Sequence, residues 1–164
     1  MDADFISSVR EEELVLLLGS NMGDKHQNLK DSIHLLTLEL GPLSKISSVY
    51  LTEPWGNIDQ ESFVNQAVII PCRIKPMIVL EIILVIEQTL GRVRFEKWGP
   101  RLIDIDIIFY GQLMYQSDVL EIPHPYMQQR QFVLDPIAEI TPHFRHPFLD
   151  KTVAQIQKEL LNES

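Results

Sequence analysis

The stretch that decides the fold is Leu102-Ile103-Asp104-Ile105-Asp106-Ile107-Ile108-Phe109-Tyr110. Side chains alternate between the two faces of a β-strand, so the first three isoleucines share one face, whereas Asp104 and Asp106 share the other. The two carboxylates then point the same way and lie about 6–7 Å apart along the backbone. The alternation predicts a strand over residues 102–110 with a pair of acids on one side.

Apolar runs and helical periodicities around this strand predict the rest of the fold. In chain order, we expect a strand at 14–18, a helix at 24–40, strands at 43–52 and 63–72, and a second helix at 76–90, all before the acidic strand. The order is βαββαβ, the ferredoxin-like unit of an α+β fold, in which two helices lie on one face of an antiparallel sheet. C-terminal additions follow: a short partner strand for 102–110 at 113–115, and helices at 126–134 and 152–161.

Composition and charge restrict the class of protein. The chain has 164 residues, enough for one domain with its own core, and its 45% hydrophobic and 23% charged residues are typical of a soluble globular protein. The formal net charge of -9 disfavours nucleic-acid binding, which needs a basic surface. Cys72 is the only cysteine, so no internal disulfide is possible, and this favours a reducing compartment.

The N-terminal region favours a cytoplasmic location. Residues 1–13 contain five acids and one arginine, which predicts a flexible acidic segment before a single domain over residues 14–164. The segment lacks the basic and apolar regions of a signal peptide. The longest apolar stretches, 14–18 and 82–86, are far shorter than the ~20 residues that cross a bilayer. We therefore expect a cytoplasmic protein without membrane contact, and a monomer.

A basic loop leads into the acidic strand. Residues 92–101 hold four of the chain's 14 basic residues and only one acid; the four are Arg92, Arg94, Lys97 and Arg101. Two like charges on an apolar strand favour a cation between them, and oxygen ligands on a rigid strand favour Mg²⁺. Guanidinium groups bind phosphate oxygens through paired hydrogen bonds. The pattern indicates a metal-bound polyphosphate and phosphoryl-type transfer, although an Asp-x-Asp pair on an exposed face can also be merely solvated.

Other parts of the sequence carry weaker signals. Gly19-Ser20-Asn21-Met22-Gly23 follows a strand and precedes a helix, but it lacks both the Lys-Ser/Thr ending of a Walker loop and the Gly-x-Gly-x-x-Gly spacing. We predict that it forms a tight turn and a helix cap. Cys72 has no surroundings that suggest catalysis. Asn65 lies in an apolar strand, so its side chain needs a hydrogen-bond partner if it is buried.

Several motifs together resemble the 6-hydroxymethyl-7,8-dihydropterin pyrophosphokinases of folate biosynthesis. The most specific is Trp98-Gly99-Pro100-Arg101-Leu102-Ile103-Asp104-Ile105-Asp106. The others, each weak alone, are Gly19-Ser20-Asn21, Thr52-Glu53-Pro54-Trp55-Gly56, Phe63-Val64-Asn65, Gly91-Arg92-Val93-Arg94 and Pro123-His124-Pro125. The resemblance implies a ferredoxin-like α/β fold and transfer of the β,γ-pyrophosphoryl group of ATP to the pterin hydroxymethyl oxygen, using two Mg²⁺ ions.

The resemblance also implies a role for each matching residue. Asp104 and Asp106 are similar to the ligands of both metals, and Arg92 and Arg101 to arginines that close over the phosphates. The residues implied at ATP are Arg92, Arg94, Trp98, Arg101, His124 and Arg130. The residues implied at the pterin are Thr52, Pro54, Trp55, Phe63, Asn65 and Phe132, of which the two phenylalanines sandwich the ring.

Two alternative functions are compatible with the same residues. A Mg²⁺-dependent nucleotidyltransferase also uses paired aspartates and arginines, and it would release pyrophosphate. A non-catalytic ferredoxin-like module would bind a small ligand without any reaction. Without the family resemblance, Phe63 and Phe132 would be expected to belong to the core.

Overall fold

The computed structural model describes residues 11–53, 62–91 and 102–163. Within them, the strands are β1 (Glu12–Ser20), β2 (Lys45–Ile46), β3 (Tyr50–Thr52), β4 (Phe63–Cys72), β5 (Asp104–Tyr110), β6 (Tyr115–Gln116) and β7 (Glu121–Ile122). The helices are α1 (Lys25–Leu40), α2 (Pro76–Thr89), α3 (Gln131–Ile140) and α4 (Val153–Glu163), with a short 3₁₀ helix at Met127–Gln129. The protein therefore has a mixed α/β fold.

The main sheet is antiparallel, and β1 lies at its centre. β1 pairs with β4 on one side and with β5 on the other, and β4 also pairs with the short strands β2 and β3. All β1 residues from Leu14 to Ser20 are buried. This confirms the predicted central strand, since an uninterrupted apolar run is typical of a strand covered on both faces.

Helices cover both faces of this sheet. On the first, which we call the α1/α2 face, Leu14, Leu16 and Leu18 of β1 share a core with both of those helices. On the second, the α3/α4 face, Val15 and Leu17 share a core with the two C-terminal helices. The C-terminal segment that we expected as an addition therefore forms a second helical layer.

The ends of the first two helices follow from local sequence. The Asp24 carboxylate caps α1 by accepting a hydrogen bond from the backbone N–H of Gln27 at 3.2 Å. Pro76 is the first residue of α2, where its missing N–H costs nothing. Both helices match their predicted ranges to within about one residue. Among the described residues, no helix is both long enough and apolar enough to cross a membrane.

Two predictions in the N-terminal half are wrong in detail. Strand β1 begins at Glu12, so Glu12 and Glu13 do not belong to a flexible segment. The predicted strand over 43–52 is divided into β2 and β3. The division lies at Ser47 and Ser48: the hydroxyl of Ser47 accepts a hydrogen bond from the backbone N–H of Ala67, and the backbone N–H of Ser48 turns away to bond a side chain of α3.

Two C-terminal predictions also need correction. The strand near 113–115 pairs with β7 rather than β5, because the backbone after β7 lies beside β5, where the His124 N–H donates to the Ile108 carbonyl at 3.0 Å. The helix predicted over 126–134 is instead the 3₁₀ helix followed by α3, separated by the extended residue Arg130. Proline normally ends a helix, but Pro136 is buried inside α3, which continues to Ile140.

Candidate active site

Four residues from four strands form one row across the sheet. The register pairs Tyr50 with Asn65, Asn65 with Gly19, and Gly19 with Asp104. Directly paired residues share a face of the sheet, and this row lies on the α3/α4 face. Neighbouring strands are about 4.8 Å apart, so the backbones at Asn65 and Asp104 are separated by roughly 10 Å. The row places a predicted pterin residue and a predicted metal ligand on either side of one glycine.

Gly19 leaves space between those two side chains. A Cβ atom at this position would lie 2.9 Å from Oδ1 of Asn65 and 3.9 Å from Cδ1 of Phe63, so any larger residue would displace the asparagine. Gly19 and Ser20 are part of β1, and Asp24 caps the helix. The predicted turn-and-cap role is therefore wrong for Gly19, which is required for close approach of its neighbours.

Three of the predicted pterin residues lie together beside this glycine. Asn65 is only 4% exposed, and its Nδ2 donates a hydrogen bond to Oγ1 of Thr52 at 3.2 Å. This confirms that the asparagine needs a partner in the apolar strand. Phe63 pairs directly with Thr52 in the register, so its side chain lies on the same face.

A large cleft brings together another set of predicted residues. Its volume is about 720 Å³, and Thr52, Arg130 and Phe132 all line it. The Arg130 guanidinium lies over two rings, 5.4 Å from the centre of Tyr126 and 5.9 Å from that of Phe132, both within the range of cation–π attraction. Phe63 and Asn65 are not among the lining residues. The remaining walls are formed by Tyr50, Leu51, Glu53, Gln129, Gln131, Asp135 and Leu160.

A second cleft lies beside the acidic strand. Its volume is about 320 Å³, and it is lined by Asp106 and His124. Asp104 and Asp106 are half-buried on β5, whereas Ile105 and Ile107 are buried on the opposite side in the α1/α2 core. The predicted alternation is confirmed. The other lining residues are Leu80, Ile105, Ile107, Ser117, Asp118, Val119, Leu120, Glu121 and Pro125.

His124 connects the two clefts electrostatically. Burial and the nearby Arg130 guanidinium lower its pKa, whereas Asp104 acts in the opposite direction. The ring is therefore neutral at pH 7. Nδ1 accepts a hydrogen bond from the backbone N–H of Tyr126 at 3.2 Å, which places the remaining proton on Nε2. His124 can thus present an N–H donor beside the carboxylate pair.

The carboxylate pair suits a magnesium ion. Mg²⁺ is usually held by one or two carboxylates, with water and substrate phosphates completing its shell. Asp104 and Asp106 supply that donor set from one face of a strand. In the part of the chain that the structure describes, no group of three or more His, Cys, Asp and Glu side chains is arranged to hold a metal.

Sequence reasoning missed the role of Glu87. This residue of α2 is only 2% exposed, and its Oε2 accepts a hydrogen bond from the backbone N–H of Ile105 at 2.8 Å. Ile105 lies between the two aspartates, so Glu87 fixes the backbone of the acidic strand. The available signal was a carboxylate four residues after the buried Ile83, on the inner face of an apolar helix.

Several predicted site residues lie outside the described residues, namely Pro54, Trp55, Arg92, Arg94, Trp98 and Arg101. The two ends of the basic segment are nevertheless described. A Cβ atom on Gly91 would lie 2.9 Å from Cδ1 of Leu102, so the residues that flank 92–101 are in contact. Gly91, the last described residue before the basic segment, therefore lies beside Leu102, which is two positions before Asp104.

The fold and site together indicate a class of protein: two clefts lie near a half-buried carboxylate pair, an imidazole and a guanidinium, an arrangement typical of an enzyme. Comparison with known proteins agrees with this class. The model of the family described as 7,8-dihydro-6-hydroxymethylpterin-pyrophosphokinase (HPPK) matches residues 15–142. The chain belongs to this family, and the resemblance seen in its sequence motifs is confirmed. As a pyrophosphokinase, it is an ATP-dependent diphosphotransferase.

Two of the similar curated proteins are named as pyrophosphokinases, and a third as a folic acid synthesis protein. A 2-amino-4-hydroxy-6-hydroxymethyldihydropteridine pyrophosphokinase of Synechocystis is 40% identical over 147 residues, which cover 89% of this chain and 75% of the relative. The enzyme of that name from Bacillus subtilis is 41% identical over 126 residues, or 76% of this chain and 75% of the relative. The folic acid synthesis protein FOL1 of Dictyostelium discoideum is 42% identical over 90% of this chain, but the chain spans only 22% of that protein.

Solved structures show the same fold. The wild-type HPPK-DHPS of Plasmodium falciparum superposes with a TM-score of 0.76 at 16% identity, over 98% of this chain and 47% of that chain. The chain thus spans less than half of that bifunctional protein. At this identity the likeness concerns the fold alone.

Proposed function

We propose that the protein transfers the β,γ-pyrophosphoryl group of ATP to the hydroxymethyl oxygen of 6-hydroxymethyl-7,8-dihydropterin, giving the pterin diphosphate and AMP in tetrahydrofolate biosynthesis. The observation that carries the proposal is the row across the sheet, in which Asn65 and Asp104 flank Gly19. Their separation of roughly 10 Å leaves room for a pterin edge near the amide and for phosphates near the carboxylate.

The large cleft, together with Phe63 and Asn65 beside its Thr52 wall, supplies the pterin side of the reaction. Asn65 hydrogen-bonds the edge of the pterin, Phe132 stacks on its ring together with Phe63, and Thr52 holds the amide of Asn65 in place. Stacking with offset rings contributes about 0.5–1.5 kcal/mol beyond area burial. Pro54 and Trp55 complete this proposed wall.

The second cleft supplies the nucleotide side. Apolar side chains such as Leu80 and Val119 line it beside Asp106 and His124, and His124 donates a hydrogen bond from Nε2–H to a phosphate oxygen. Arg130 lines the large cleft, but it is near enough to lower the pKa of His124, and it contributes a positive charge. Arg92, Arg94, Trp98 and Arg101 are proposed to close over the phosphates from the basic segment. Charge neutralisation and alignment carry most of such a transfer, so no side-chain base is assigned.

Asp104 and Asp106 would hold two Mg²⁺ ions. When bound there, Mg²⁺ would neutralise phosphate charge and lower the pKa of the attacking hydroxyl. The carboxylates hold their direction because β5 is fixed on both sides, by pairing with β1 and by the hydrogen bond from Ile105 to Glu87.

The arrangement of strands also supports a ferredoxin-like core. If β2 and β3 count as one strand, the order across the sheet is fourth, first, third and second, with α1 and α2 on one face. We propose that this core and the C-terminal layer form a single domain, whose predicted range of residues 14–164 is extended to the start of β1 at Glu12. We further propose a cytoplasmic monomer that binds neither nucleic acid nor membranes.

Product analysis tests the proposed reaction. The protein is incubated with Mg²⁺, ATP and 6-hydroxymethyl-7,8-dihydropterin, and the products are separated by chromatography. We expect AMP and a diphosphorylated pterin in equal amounts. Release of pyrophosphate would instead indicate a nucleotidyltransferase, and binding of the pterin without consumption of ATP would indicate a non-catalytic module.

A further inference from the structure

A carboxylate of α3 holds the segment that leads into β3. Glu139 accepts hydrogen bonds from the backbone N–H of Ser48 at 3.1 and 3.0 Å, from the Ser48 hydroxyl at 3.2 Å, and from the Tyr50 hydroxyl at 2.7 Å. Three donors from two residues therefore converge on one side chain. Because Ser48 and Tyr50 flank the start of β3, Glu139 fixes where this strand begins.

Glu139, Ser48 and Tyr50 form a hydrogen-bonded group, which we call the clamp. It lies at one end of the large cleft. Phe132, Asp135 and Glu139 are spaced by three and four residues, so they follow one face of α3. Tyr50 and Thr52 lie on the facing side of β3, and both line the cleft together with Phe132 and Asp135. The carboxylate of Glu139 therefore joins the two walls, one carrying Thr52 and the other carrying Phe132.

Apart from the clamp, β3 is held mainly by its pairing with β4. The strand is three residues long, and among the described strands it pairs only with β4. The Tyr50 side chain faces α3, which lies over this face of the sheet, and bonds Glu139 there; Ser48, two residues earlier, bonds the same carboxylate. A strand held along one edge can shift as a unit, and the bonds to Glu139 oppose that shift on the side of the cleft.

The electrostatics of the clamp agree with this geometry. The hydrogen bond to Glu139 raises the pKa of Tyr50 to about 12, and the same bond, together with those from Ser48, lowers the pKa of Glu139. The carboxylate is therefore ionised and the phenol protonated throughout the neutral range, as a charge-assisted bond requires. Glu139 is exposed, so its bonds compete with water and add little to global stability.

We propose that Glu139 is a positioning residue that sets the separation of Thr52 and Phe132 and thereby the affinity for the pterin. This inference rests on the proposed function, which assigns both walls to the pterin. Glu139 touches neither substrate. It acts through Tyr50 and the start of β3.

The test measures the two substrates separately. Glu139→Ala, Glu139→Gln and Tyr50→Phe are compared with the wild type by titration with the pterin and with a non-hydrolysable ATP analogue plus Mg²⁺, and by steady-state kinetics. We expect Glu139→Ala to raise the Kd and KM for the pterin about three- to tenfold, with the Kd for the ATP analogue and the kcat within about twofold. Glu139→Gln retains an acceptor and should have a smaller effect. Tyr50→Phe combined with Glu139→Ala should weaken pterin binding no more than Glu139→Ala alone, because both remove the same bond.

A nearby tie provides the matched control. Nζ of Lys45 donates to the Ile140 carbonyl at 3.1 Å, which also joins the outer edge of the sheet to α3 but does not reach β3. Lys45→Met should leave pterin affinity unchanged. If the Glu139 variants lower the Tm and leave pterin affinity as Lys45→Met does, the positioning role is overturned. If the wild type itself fails to bind the pterin, the proposed function fails with it, and the two failures are therefore distinguishable.

Discussion

The two faces of the central sheet differ in how completely they are covered. On the α1/α2 face, Leu14, Leu16 and Leu18 of β1 are fully buried, and Ile105 and Ile107 of β5 are each only 5% exposed. On the α3/α4 face, the helices cover Val15 and Leu17, but Tyr50 lines the large cleft and Asp104 and Asp106 are only half-buried. Consecutive residues of one strand therefore differ in role. Whether a side chain packs in the core or is available for chemistry depends on the face of the sheet on which it lies, and not on the strand to which it belongs.

The largest effect should follow from removing a charge on the open face. Asp104→Asn keeps the size and shape of the side chain but removes a proposed ligand of Mg²⁺. We expect kcat to fall by at least about a hundredfold, while the Tm stays within a few degrees of the wild type. Steady-state assays of AMP formation and thermal unfolding measure the two quantities.

A substitution on the covered face should give the reverse result and serves as the control. Leu16 is fully buried in the α1/α2 core, and Leu16→Ala should cost about 2–5 kcal/mol in the free energy of unfolding. Its kcat per folded molecule should remain close to that of the wild type. If Leu16→Ala abolished catalysis in folded protein, or if Asp104→Asn did not reduce it, the division of tasks between the faces would be wrong.

A smaller effect is expected from filling the space at the centre of the row. In Gly19→Ala the new Cβ would lie 2.9 Å from Oδ1 of Asn65, so the amide must shift away from Gly19, which disturbs its hydrogen bond with Thr52. We expect the Kd for the pterin to rise on the order of tenfold, which corresponds to about 1.4 kcal/mol. Calorimetric titration should show a change of less than about twofold for the ATP analogue with Mg²⁺. Equal losses for both ligands would show that Gly19 shapes the whole sheet rather than the pterin side.

The smallest expected effect is on the pH dependence of the free energy of unfolding, through His124 on the partly covered face. The pKa of His124 is lowered chiefly by burial, so the unfolded chain binds a proton more readily than the folded chain as the pH falls below about 6.5. The free energy of unfolding should therefore decrease with falling pH in that range. Urea titrations at pH 7 and pH 5.5 should show a shallower decrease in His124→Gln. An identical decrease in both proteins would exclude His124 as its source, in which case His146, whose pKa burial also lowers, is the next residue to replace.

The fold could be predicted from the sequence wherever a local pattern was strong. The apolar run of β1, the Asp-x-Asp alternation of β5 and the proline and capping signals of α1 and α2 each depend on neighbouring residues. The division of β2 from β3 depends instead on bonds from Ser47 and Ser48 to β4 and α3. The length of α3 depends on burial of Pro136, which overrides the usual effect of proline.

The residues of the candidate site could be proposed one by one from the sequence, but their arrangement could not. The acids, His124, Arg130, Asn65 and the phenylalanines were identified by type and motif. The strand register that brings Asn65, Gly19 and Asp104 into one row is a property of the assembled sheet, and no local pattern encodes it. The bond between Tyr50 and Glu139 joins residues 89 positions apart, and periodicity carries no information at that distance.

The row across the sheet has a consequence for the order in which the site forms during synthesis. β1 is made first, yet its two partners arrive much later in the chain, β4 beginning at Phe63 and β5 at Asp104. Contacts over such separations form slowly, because a long loop must close, at a cost in conformational entropy, before strand pairing contributes any stability. A chain that ends after β4 contains Asn65 and Gly19 but lacks both carboxylates, and it also lacks Phe132 of α3. The candidate site is therefore complete only when β5 has paired with β1 and α3 has packed on the sheet, so the appearance of activity during refolding reports these late steps rather than the formation of α1 or α2.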